Sequence, residues 1–333
     1  MGLSIGIVGL PNVGKSTLFN ALTKKGVPAE NYPFCTIDPS VGIVPVPDER
    51  LIKLSEFSKS IKTIPAAIEF VDIAGLVAGA SKGEGLGNKF LTNIRETDAI
   101  LHMVRVFEDK DVIHVANKVD PLFDIGVINL ELILADLETV NKRLETNSRD
   151  HKRGEKEAVV LHGALEKLKV ALENEVMAST VMLEDNEKSL IAQLNLLTMK
   201  PMLYALNTSA ANENKIKEVV TELPGPYVEI DPVFETGFDD MIKASYKLLN
   251  LETYFTTGED ETRAWTIKAH STAPIAGTAI HTDFKDKFIR AEVIFWKDLL
   301  DAGSYAEARN KGLVRTEGKE YIVKDGDVIE FKI

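Results

Sequence analysis

The feature that most constrains the fold of this chain is a glycine-rich segment close to its start. The pattern G-x-x-x-x-G-K-[ST] is matched by Gly9-Leu10-Pro11-Asn12-Val13-Gly14-Lys15-Ser16. An apolar run, Ser4 to Val8, precedes the segment, and a helical pattern from Ser16 to Lys24 follows it. A strand, a glycine turn and a helix in this order predict a phosphate-binding loop, because the loop N–H groups and the helix N-terminus both attract an anion.

A second motif indicates that the phosphate is part of a metal-bound nucleotide. Asp72-Ile73-Ala74-Gly75 ends a predicted strand that begins at Ile64, which gives D-x-x-G at the carboxyl end of a strand. In this arrangement the carboxylate holds Mg²⁺ through water and the N–H of Gly75 senses the γ-phosphate. Four glycines follow within a few residues, at 79, 83, 85 and 87, and predict a segment that the γ-phosphate orders as a second switch.

These motifs assign individual roles to side chains. Lys15 is predicted to reach the β- and γ-phosphates and to be catalytic, and Mg²⁺ is predicted to be held by Ser16, Asp72 and Thr36, a threonine between the first helix and the second strand. The full set of predicted nucleotide contacts is Asn12, Val13, Gly14, Lys15, Ser16, Thr17, Gly75, Asn207 and Thr208.

The residue after the D-x-x-G glycine is Leu76, which cannot orient an attacking water as a glutamine does at this position in Ras-like enzymes. The water must then be positioned by another group, by a partner, or by a monovalent cation, K⁺, acting with Asn12. His114 is a candidate water holder or general base because it follows a strand that ends near the switches.

Base recognition depends on which strand follows in the sheet. Asn117-Lys118-Val119-Asp120 spells N-K-x-D, but too few residues separate it from the preceding strand for a parallel crossover, so the match is interpreted as accidental. The better strand is Pro201 to Leu206, and it is followed by Asn207-Thr208-Ser209-Ala210, which lacks the carboxylate. Guanine then loses an acceptor, so adenine becomes at least as acceptable, and Phe107 offers an apolar face to the base.

Further strands at Ala99 to Phe107 and Met202 to Asn207, with helices between them, predict an α/β domain with a mostly parallel sheet. Two heptad-like seams interrupt it and predict an antiparallel coiled-coil hairpin, two ordinary core helices being the alternative. Beyond Thr256 to Asp260, short β-rich pieces predict a small α+β domain with strands at 264–268, 288–294, 320–323 and 328–333. The first seam is Val127, Leu130, Leu134, Leu137, Asn141 and Leu144, and the second is Ala158, Leu161, Leu165, Leu168 and Leu172.

Composition excludes several classes of protein. The chain has 333 residues, a hydrophobic content of 44%, a single cysteine and no apolar run of membrane-spanning length, which predicts a cytoplasmic multidomain protein without membrane contact. The formal charge of −12 argues against a surface that coats nucleic acid throughout, although a local basic patch remains possible.

With these residues in view, the sequence resembles the YchF-type Obg-like ATPases over nearly its whole length. The similarity lies in the segments 9–17, 31–38, 70–77, 82–88, 93–97, 263–267, 280–284 and 325–328. The resemblance implies a GTPase-like core with a hydrophobic residue, here Leu76, in place of the catalytic glutamine. It also implies ATP preferred over GTP, a coiled-coil insert, a C-terminal TGS domain with a ubiquitin-like fold, and ribosome association. His114 matches a histidine that is proposed to assist hydrolysis in this family.

Two departures from the family pattern are visible. The family usually has N-x-x-E where this chain has Asn207 to Ala210, and the segment from Asn212 to Ile242 is short, with Tyr227 to Val233 as its last strand. Predicted domains are a nucleotide-binding domain in two parts, 1–125 and 199–260, a helical insert at 126–198, and a TGS domain at 261–333.

The predicted function is a Mg²⁺-dependent triphosphatase that prefers ATP to GTP, acts as a ribosome-associated nucleotide switch, and contacts ribosomal RNA or protein through the coiled coil and the TGS domain. Three alternatives remain open: a GTP-specific switch, a nucleotide-bound scaffold with negligible hydrolysis, and a P-loop kinase, which the D-x-x-G motif and the glycine stretch disfavour.

Overall fold

The chain is built on two six-stranded sheets. The computed structural model describes residues 3–24, 40–73, 88–107, 119–209, 211 and 213–333, and only the backbone of residues 88 and 89. The strands in this part of the chain are β1 (Ser4–Val8), β2 (Val41–Pro45), β3 (Lys62–Ile64), β4 (Ala67–Asp72), β5 (Ala99–Arg105), β6 (Met202–Asn207), β7 (Tyr227–Ile230), β8 (Leu251–Thr257), β9 (Glu261–Lys268), β10 (Arg290–Phe295), β11 (Arg315–Glu317) and β12 (Asp327–Lys332).

The first sheet carries the strands that the glycine and aspartate motifs follow. Its order is β2-β4-β1-β5-β6-β7, in which β2 is antiparallel to β4 and the other neighbours are parallel. The strand β5 is buried along its whole length, as expected for a central strand of a parallel sheet covered on both faces. The predicted α/β fold class is therefore confirmed, and β6 lies next to β5 as the sequence predicted.

Helices pack against both sheets. In the described residues they are α1 (Lys15–Lys24), α2 (Glu49–Ser58), α3 (Asn88–Glu96), α4 (Pro121–Lys152), α5 (Lys156–Glu173), α6 (Asp185–Ile191), α7 (Glu213–Glu222), α8 (Phe238–Leu248), α9 (Ala273–Gly277), α10 (Asp283–Lys287), α11 (Trp296–Ala302) and α12 (Tyr305–Asn310). The buried face of α1 is formed by Leu18, Phe19, Ala21 and Leu22, which are spaced at three and four residues and pack into the main core. No helix in the part of the chain described here is long and apolar enough to span a membrane.

The helices α4 and α5 form the predicted hairpin between β5 and β6. All five residues predicted for the second seam, on α5, are buried. The first seam is wrong in phase, because Leu134 is 52% exposed and Leu130 is 40% exposed. Of the predicted seam, Leu144 is buried; the other apolar side chains buried along the body of α4 are Ile125, Ile128, Leu132, Ile133 and Val140, together with the polar Asp124, Asp136 and Asn147.

Two buried polar side chains hold the hairpin at its ends. Near the tip, the amide of Asn147 donates to the carbonyl of Ala158 over 2.8 Å, so the register polar group is Asn147 and not the half-buried Asn141. At the base, the carboxylate of Asp136 accepts the N–H groups of Leu197 and Thr198 and the Thr198 hydroxyl, at 2.9, 2.7 and 2.7 Å. Burial raises the pKa of Asp136, and the hydrogen bonds from Thr198 and Leu197 oppose that rise.

The second sheet forms the C-terminal α+β unit, with the order β11-β10-β12-β8-β9-β3. The strands β8 and β9 pair in an antiparallel hairpin, in which Leu251 lies opposite Lys268 and Thr257 lies opposite Thr262. The predicted domain boundary between residues 260 and 261 therefore falls at the turn of this hairpin. A strand predicted at 320–323 is absent from the described structure, where Ile322 makes only an isolated bridge to Thr272.

This second sheet also contains a strand from the N-terminal half. The sequence predicted one strand from Ile64 to Asp72, but Pro65 and Ala66 divide it, and β3 pairs in parallel with β9 in the other sheet. An ion-pair network reinforces the join, since the guanidinium of Arg50 on α2 contacts Asp48 at 2.7 Å and Asp325 at 2.6 Å. The two halves of the molecule therefore share a sheet edge and a partly exposed ion pair.

Candidate nucleotide-binding site

The segment between β1 and α1 has the backbone of a loop that wraps a ligand. Gly9 and Gly14 have φ values of +153° and +103°, and Asn12 has a φ of +62°, in the left-handed region that favours glycine and asparagine. A side chain at Gly9 would clash with the carbonyl oxygen of Met103. The helix α1 starts at once, since the N–H of Leu18 donates to the carbonyl of Gly14 over 2.9 Å.

Asn207 braces this loop from the end of β6. Its amide donates to the carbonyl of Val13 over 3.0 Å and its carbonyl accepts the N–H of Ser209 at 3.3 Å. A Cβ built on Gly14 would lie 2.8 Å from the Asn207 amide nitrogen, so only glycine fits there. The side chain that the sequence assigned to the nucleotide is therefore buried against the loop backbone.

Lys15 lies across the mouth of the loop. Its ammonium donates to the carbonyls of Gly9 and Leu10, each at 2.9 Å. Burial lowers the pKa of Lys15 to about 8, and the negative charge of Asp72 works against that lowering. The ammonium is thus held by two neutral acceptors at the place where an anion would be a stronger partner.

Asp72 ends β4, next to Ile7 on β1, and lies half-buried beside the loop. Burial raises the pKa of Asp72, and the Lys15 charge opposes the rise. Carboxylate and hydroxyl oxygens are the ligands that Mg²⁺ prefers. The exposed Ser16 hydroxyl on the first turn of α1 and a carboxylate that burial destabilises therefore form a donor set that suits this ion.

Other predicted residues have less specific surroundings. Val13 is buried, whereas Asn12 and Thr17 are exposed on the loop and the first turn of α1. The predicted residues Thr36, Gly75, Leu76 and His114 lie outside the described residues. His102, on β5, is 1% exposed, and burial together with the Lys15 charge lowers its pKa to about 3.

The last residue of the N-K-x-D match at 117–120, Asp120, has a structural role. The carboxylate of Asp120 accepts the N–H of Phe123 at 3.3 Å and caps the N-terminus of α4, which begins with Pro121. Asn117 and Lys118 lie outside the described residues.

The strands β6 and β7 end at the same edge of the sheet as the loop. The N–H of Thr208 donates to the carbonyl of Ile230 over 3.0 Å, which joins the two strand ends. Instead of continuing to Val233 as predicted, β7 ends at Ile230, and a turn from Asp231 to Thr236 follows it. Pro232, two residues after the end of β7, was a visible signal of this turn, because proline cannot donate to a strand ladder.

Beside this edge, Arg105 is 1% exposed. Its guanidinium carbon lies 4.4 Å from the ring centroid of Phe107, and its Nε donates to the Phe107 carbonyl over 3.1 Å. The ring that the sequence suggested as an apolar face for the base is thus held in place by a buried cation.

The loop, the lysine that closes it and the strand order around it place the protein among the P-loop nucleoside triphosphate hydrolases with a GTPase-like sheet. A family model described as a 50S ribosome-binding GTPase matches residues 4–133, and the YchF-GTPase_C model, described as a protein of unknown function, matches residues 251–333.

Full-length relatives define the family. The chain is 52% identical to the "Ribosome-binding ATPase YchF" of Bacillus subtilis, covering 100% of this chain and 99% of the relative, and 48% identical to the protein of that name from Haemophilus influenzae, with the same coverage. The solved structure of the Schizosaccharomyces pombe YchF GTPase superposes with a TM-score of 0.87 at 36% identity, covering 99% of this chain and 98% of that one. The chain belongs to the YchF family.

The relative from B. subtilis aligns over 363 residues, whereas this chain has 333 in all. The relative therefore contains residues that have no counterpart in this chain.

Proposed function

We propose that the protein is a Mg²⁺-dependent triphosphatase that prefers ATP to GTP and acts as a nucleotide-controlled switch on the ribosome. The observation that carries this proposal is the loop itself: Lys15 closes it on carbonyl oxygens, Asn207 braces it, and Asp72 stands at the end of the neighbouring strand. Polyphosphate would replace the carbonyls of Gly9 and Leu10 as the partner of Lys15, with the gain of a charge-assisted contact.

In the proposed site, Ser16, Asp72 and Thr36 hold Mg²⁺, which would neutralise charge on the transferring phosphoryl group. Lys15 and the N-terminus of α1 bind the β- and γ-phosphates, with Asn12, Val13, Gly14 and Thr17 of the same loop around them. Gly75 senses the γ-phosphate. Because Leu76 cannot hold the attacking water, His114 has that role, and K⁺ beside Asn12 is the alternative.

Preference for ATP follows from what the base would meet. The side-chain amide of Asn207 is already engaged with the loop, and Ala210 has no carboxylate for the N1–H and N2–H donors of guanine. Polar groups that lose their partners weaken binding, so GTP is disfavoured more than ATP.

Ribosome binding is supported by the names of the relatives, which are ribosome-binding ATPases, and by the charge of the hairpin tip. Within an acidic protein, the exposed residues of the tip at 149–156 include Arg149, Lys152, Arg153 and Lys156. Basic residues on a projecting element suit phosphate contacts with RNA. We propose that the hairpin, together with the C-terminal TGS domain, forms the ribosome-facing surface.

The first test compares dissociation constants of ATP and GTP for the purified protein with Mg²⁺. We expect ATP to bind more tightly; tenfold tighter binding of GTP would instead establish a conventional guanine switch. Omitting Mg²⁺ should weaken both nucleotides.

The second test measures single-turnover release of free phosphate without an acceptor. Lys15→Ala should abolish binding or turnover, and His114→Ala should slow hydrolysis with little loss of affinity. Equal rates in both variants and in the wild type would favour the scaffold, and transfer to a metabolite without hydrolysis would favour a kinase.

A further inference from the structure

The second sheet opens between two of its neighbouring strands, β8 and β12. Along its whole length β12 pairs with β10, and β8 likewise pairs with β9, but β12 and β8 pair with each other only at Val328 and Phe255. In a continuous parallel ladder, the pair of Ile329 and Thr256 would come next. Although both strands lie wholly within the described part of the chain, that pair is not formed. The two strands therefore diverge and leave a gap inside the sheet.

A cavity of about 500 Å³ lies at this gap. The end of β8 contributes Thr256 and Thr257 to its lining, and the end of β12 contributes Ile329, Glu330 and Phe331. A volume of this size is within the range of protein sites that hold small molecules. The gap is therefore large enough for a ligand of its own, in a different sheet from the one that carries the phosphate loop.

Apolar side chains form part of the cavity lining. The rings of Phe284 on α10 and Phe331 on β12 meet edge to face, with their centroids 5.6 Å apart, and Ile280 lines the same cavity. All three side chains are half-buried. Each therefore keeps apolar surface in contact with solvent, and a ligand that covered this surface would gain free energy from its burial.

Two opposite charges lie side by side in the same lining. Nη2 of Arg309 on α12 is 3.9 Å from the carboxylate of Glu330, and the closer partner of this guanidinium is Glu292. Glu330 also contacts Lys332. The side chains of Arg309 and Glu330 are 55% and 58% exposed. Within the described residues, Nε and Nη1 of Arg309 have no acceptor, so the guanidinium keeps donors for a ligand.

Tyr305 brings a hydroxyl group close to these two charges. Its ring lies edge to face with Phe57 of α2, at a centroid distance of 6.4 Å, and also lines the cavity. Burial raises the pKa of Tyr305, the negative charge of Glu330 raises it further, and the charge of Arg309 opposes the rise. No group in the described structure is hydrogen-bonded to the Tyr305 hydroxyl, which is thus available to a ligand.

We propose that this cavity is a binding site for a free α-amino acid with a large apolar side chain. The carboxylate of the ligand would accept from the unused donors of Arg309, and its ammonium group would donate to Glu330. The side chain would cover the apolar surface of Ile280, Phe284 and Phe331. This site is in the C-terminal unit and is independent of the proposed nucleotide site.

The adjacent charges of Arg309 and Glu330 are what select an amino acid. An anion that binds Arg309 is repelled by Glu330, and a cation that binds Glu330 is repelled by Arg309, whereas a zwitterion is attracted by both. Because the two protein charges are neighbours, the two ligand charges must be neighbours as well, as they are on one α-carbon. The termini of an extended dipeptide are about 7 Å apart and do not meet this condition.

The first experiment compares ligands for the wild-type protein by calorimetry, with L-phenylalanine as the probe. The matched ligands are 3-phenylpropionate, which lacks the ammonium group, and 2-phenylethylamine, which lacks the carboxylate. We expect L-phenylalanine to bind at least about tenfold more tightly than either analogue, because each analogue leaves one charge of the site without a partner. L-Alanine should also bind at least about tenfold more weakly, since it has little apolar surface to bury.

Two results of this comparison would overturn the proposal. One is the absence of saturable binding for L-phenylalanine, L-tryptophan and L-leucine at concentrations up to about 10 mM. The other is equal affinity for L-phenylalanine and either analogue, because a site that ignores one of the two ligand charges is not an amino-acid site.

The second experiment locates the ligand with variants of the two charged residues. Arg309→Gln and Glu330→Gln should each weaken L-phenylalanine at least about tenfold. Arg309→Gln should also abolish the preference over 2-phenylethylamine, and Glu330→Gln the preference over 3-phenylpropionate, which general damage to the fold would not do. Tyr305→Phe keeps the ring and should weaken L-phenylalanine about threefold.

The matched controls are Arg149→Gln and Glu320→Gln, which remove the same charges at exposed positions outside the cavity and should leave L-phenylalanine binding unchanged. The thermal unfolding temperature of each variant reports on its fold. Wild-type affinity for L-phenylalanine in both Arg309→Gln and Glu330→Gln would place the ligand elsewhere and would refute the site.

Discussion

At the scale of single residues, Asn207 shows how a motif residue can be located correctly while one of its partners goes unpredicted. The sequence places it at the end of β6, as the structure does, and its amide donates to the carbonyl of Val13, a contact that the sequence did not predict. A hydrogen bond between a side chain and a loop far away in the sequence depends on how the two segments pack together. The spacing of residues along one strand carries no information about that packing.

The first prediction follows from this contact. Asn207→Ala removes the hydrogen bond to Val13, so the loop loses a brace worth about 1 kcal/mol. We expect affinities for ATP, GTP and tripolyphosphate to fall by the same factor, roughly fivefold to tenfold, since the base takes no part. Asn207→Asp is the isosteric comparison, because it places a carboxylate oxygen against the carbonyl oxygen of Val13 and both are acceptors. This variant should bind the three ligands no better than Asn207→Ala does. A loss confined to one nucleotide would show that Asn207 contacts the base.

The second prediction concerns Lys15, whose pKa burial lowers to about 8 despite the opposing charge of Asp72. Phosphate binding requires the ammonium form and stabilises it, so the pKa in the complex lies higher than in the free protein. Affinity for Mg²⁺-ATP should be constant below about pH 8 and should weaken above it, by up to about tenfold per pH unit.

The measurement is calorimetry from pH 7 to pH 9.5 in buffers of different ionisation enthalpy. Uptake of up to one proton per nucleotide is expected above pH 8 and should be absent in Lys15→Met, to the extent that this variant still binds. Binding without proton uptake at pH 8.5 would contradict the assignment of this pKa to Lys15.

At the scale of elements, the two helices of the hairpin were not equally predictable. The buried residues of α5 form one stripe that stays in a single core cluster with α4 and α6, so a single period describes it. The first turns of α4 pack into two other clusters, with Ile128 and Leu132 in the main core and Ile125 beside β6, before Ile133 and Val140 turn to α5. A helix that changes partners along its length has no single hydrophobic phase, which is why the predicted seam selected the exposed Leu130 and Leu134.

The central strands were predictable because burial on both faces leaves long apolar runs, as in β1, β5 and β6. The short strands at the sheet edges were not, because β3 has two exposed residues out of three and β11 none that is buried.

The third prediction tests the hairpin tip as a ribosome contact. Changing Arg149, Lys152 and Arg153 together to glutamate should weaken ribosome affinity by at least about tenfold and reduce its dependence on salt, because fewer phosphate charges are neutralised. ATP affinity should stay unchanged, since the tip is at the far end of the hairpin. The readout is co-sedimentation with ribosomes over a series of salt concentrations.

The matched control changes Lys217, Lys243 and Lys247 to glutamate, which alters net charge equally on exposed positions of α7 and α8. If both triple variants lose the same affinity, overall charge and not the tip is responsible, and the hairpin contact is refuted.

At the scale of the whole molecule, the two sheets are mechanically joined by β3. The N–H of Lys62 donates to the carbonyl of Asp260 over 3.1 Å, and the Ser60 hydroxyl donates to the carbonyl of Gly258 over 2.6 Å. The Arg50 contact to Asp325, whose carboxylate also accepts the N–H of Thr253, adds a second join. Main-chain hydrogen bonds and an ion pair therefore link the N-terminal half to the C-terminal sheet.

The fourth prediction tests this join. Lys62→Pro removes the N–H that β3 donates to Asp260, and proline interrupts a ladder in which it cannot donate. We expect the wild type to unfold in one calorimetric transition, and we expect the proline variant to lose about 2 kcal/mol of stability in its C-terminal unit and to unfold in two. Lys62→Ala keeps the N–H at the same exposed position and should unfold as the wild type does, within about 0.5 kcal/mol. A single transition at an unchanged temperature in the proline variant would mean that the side-chain contacts of Arg50 alone couple the two halves. In that case, Arg50→Ala combined with Lys62→Pro would be the variant that separates the two transitions.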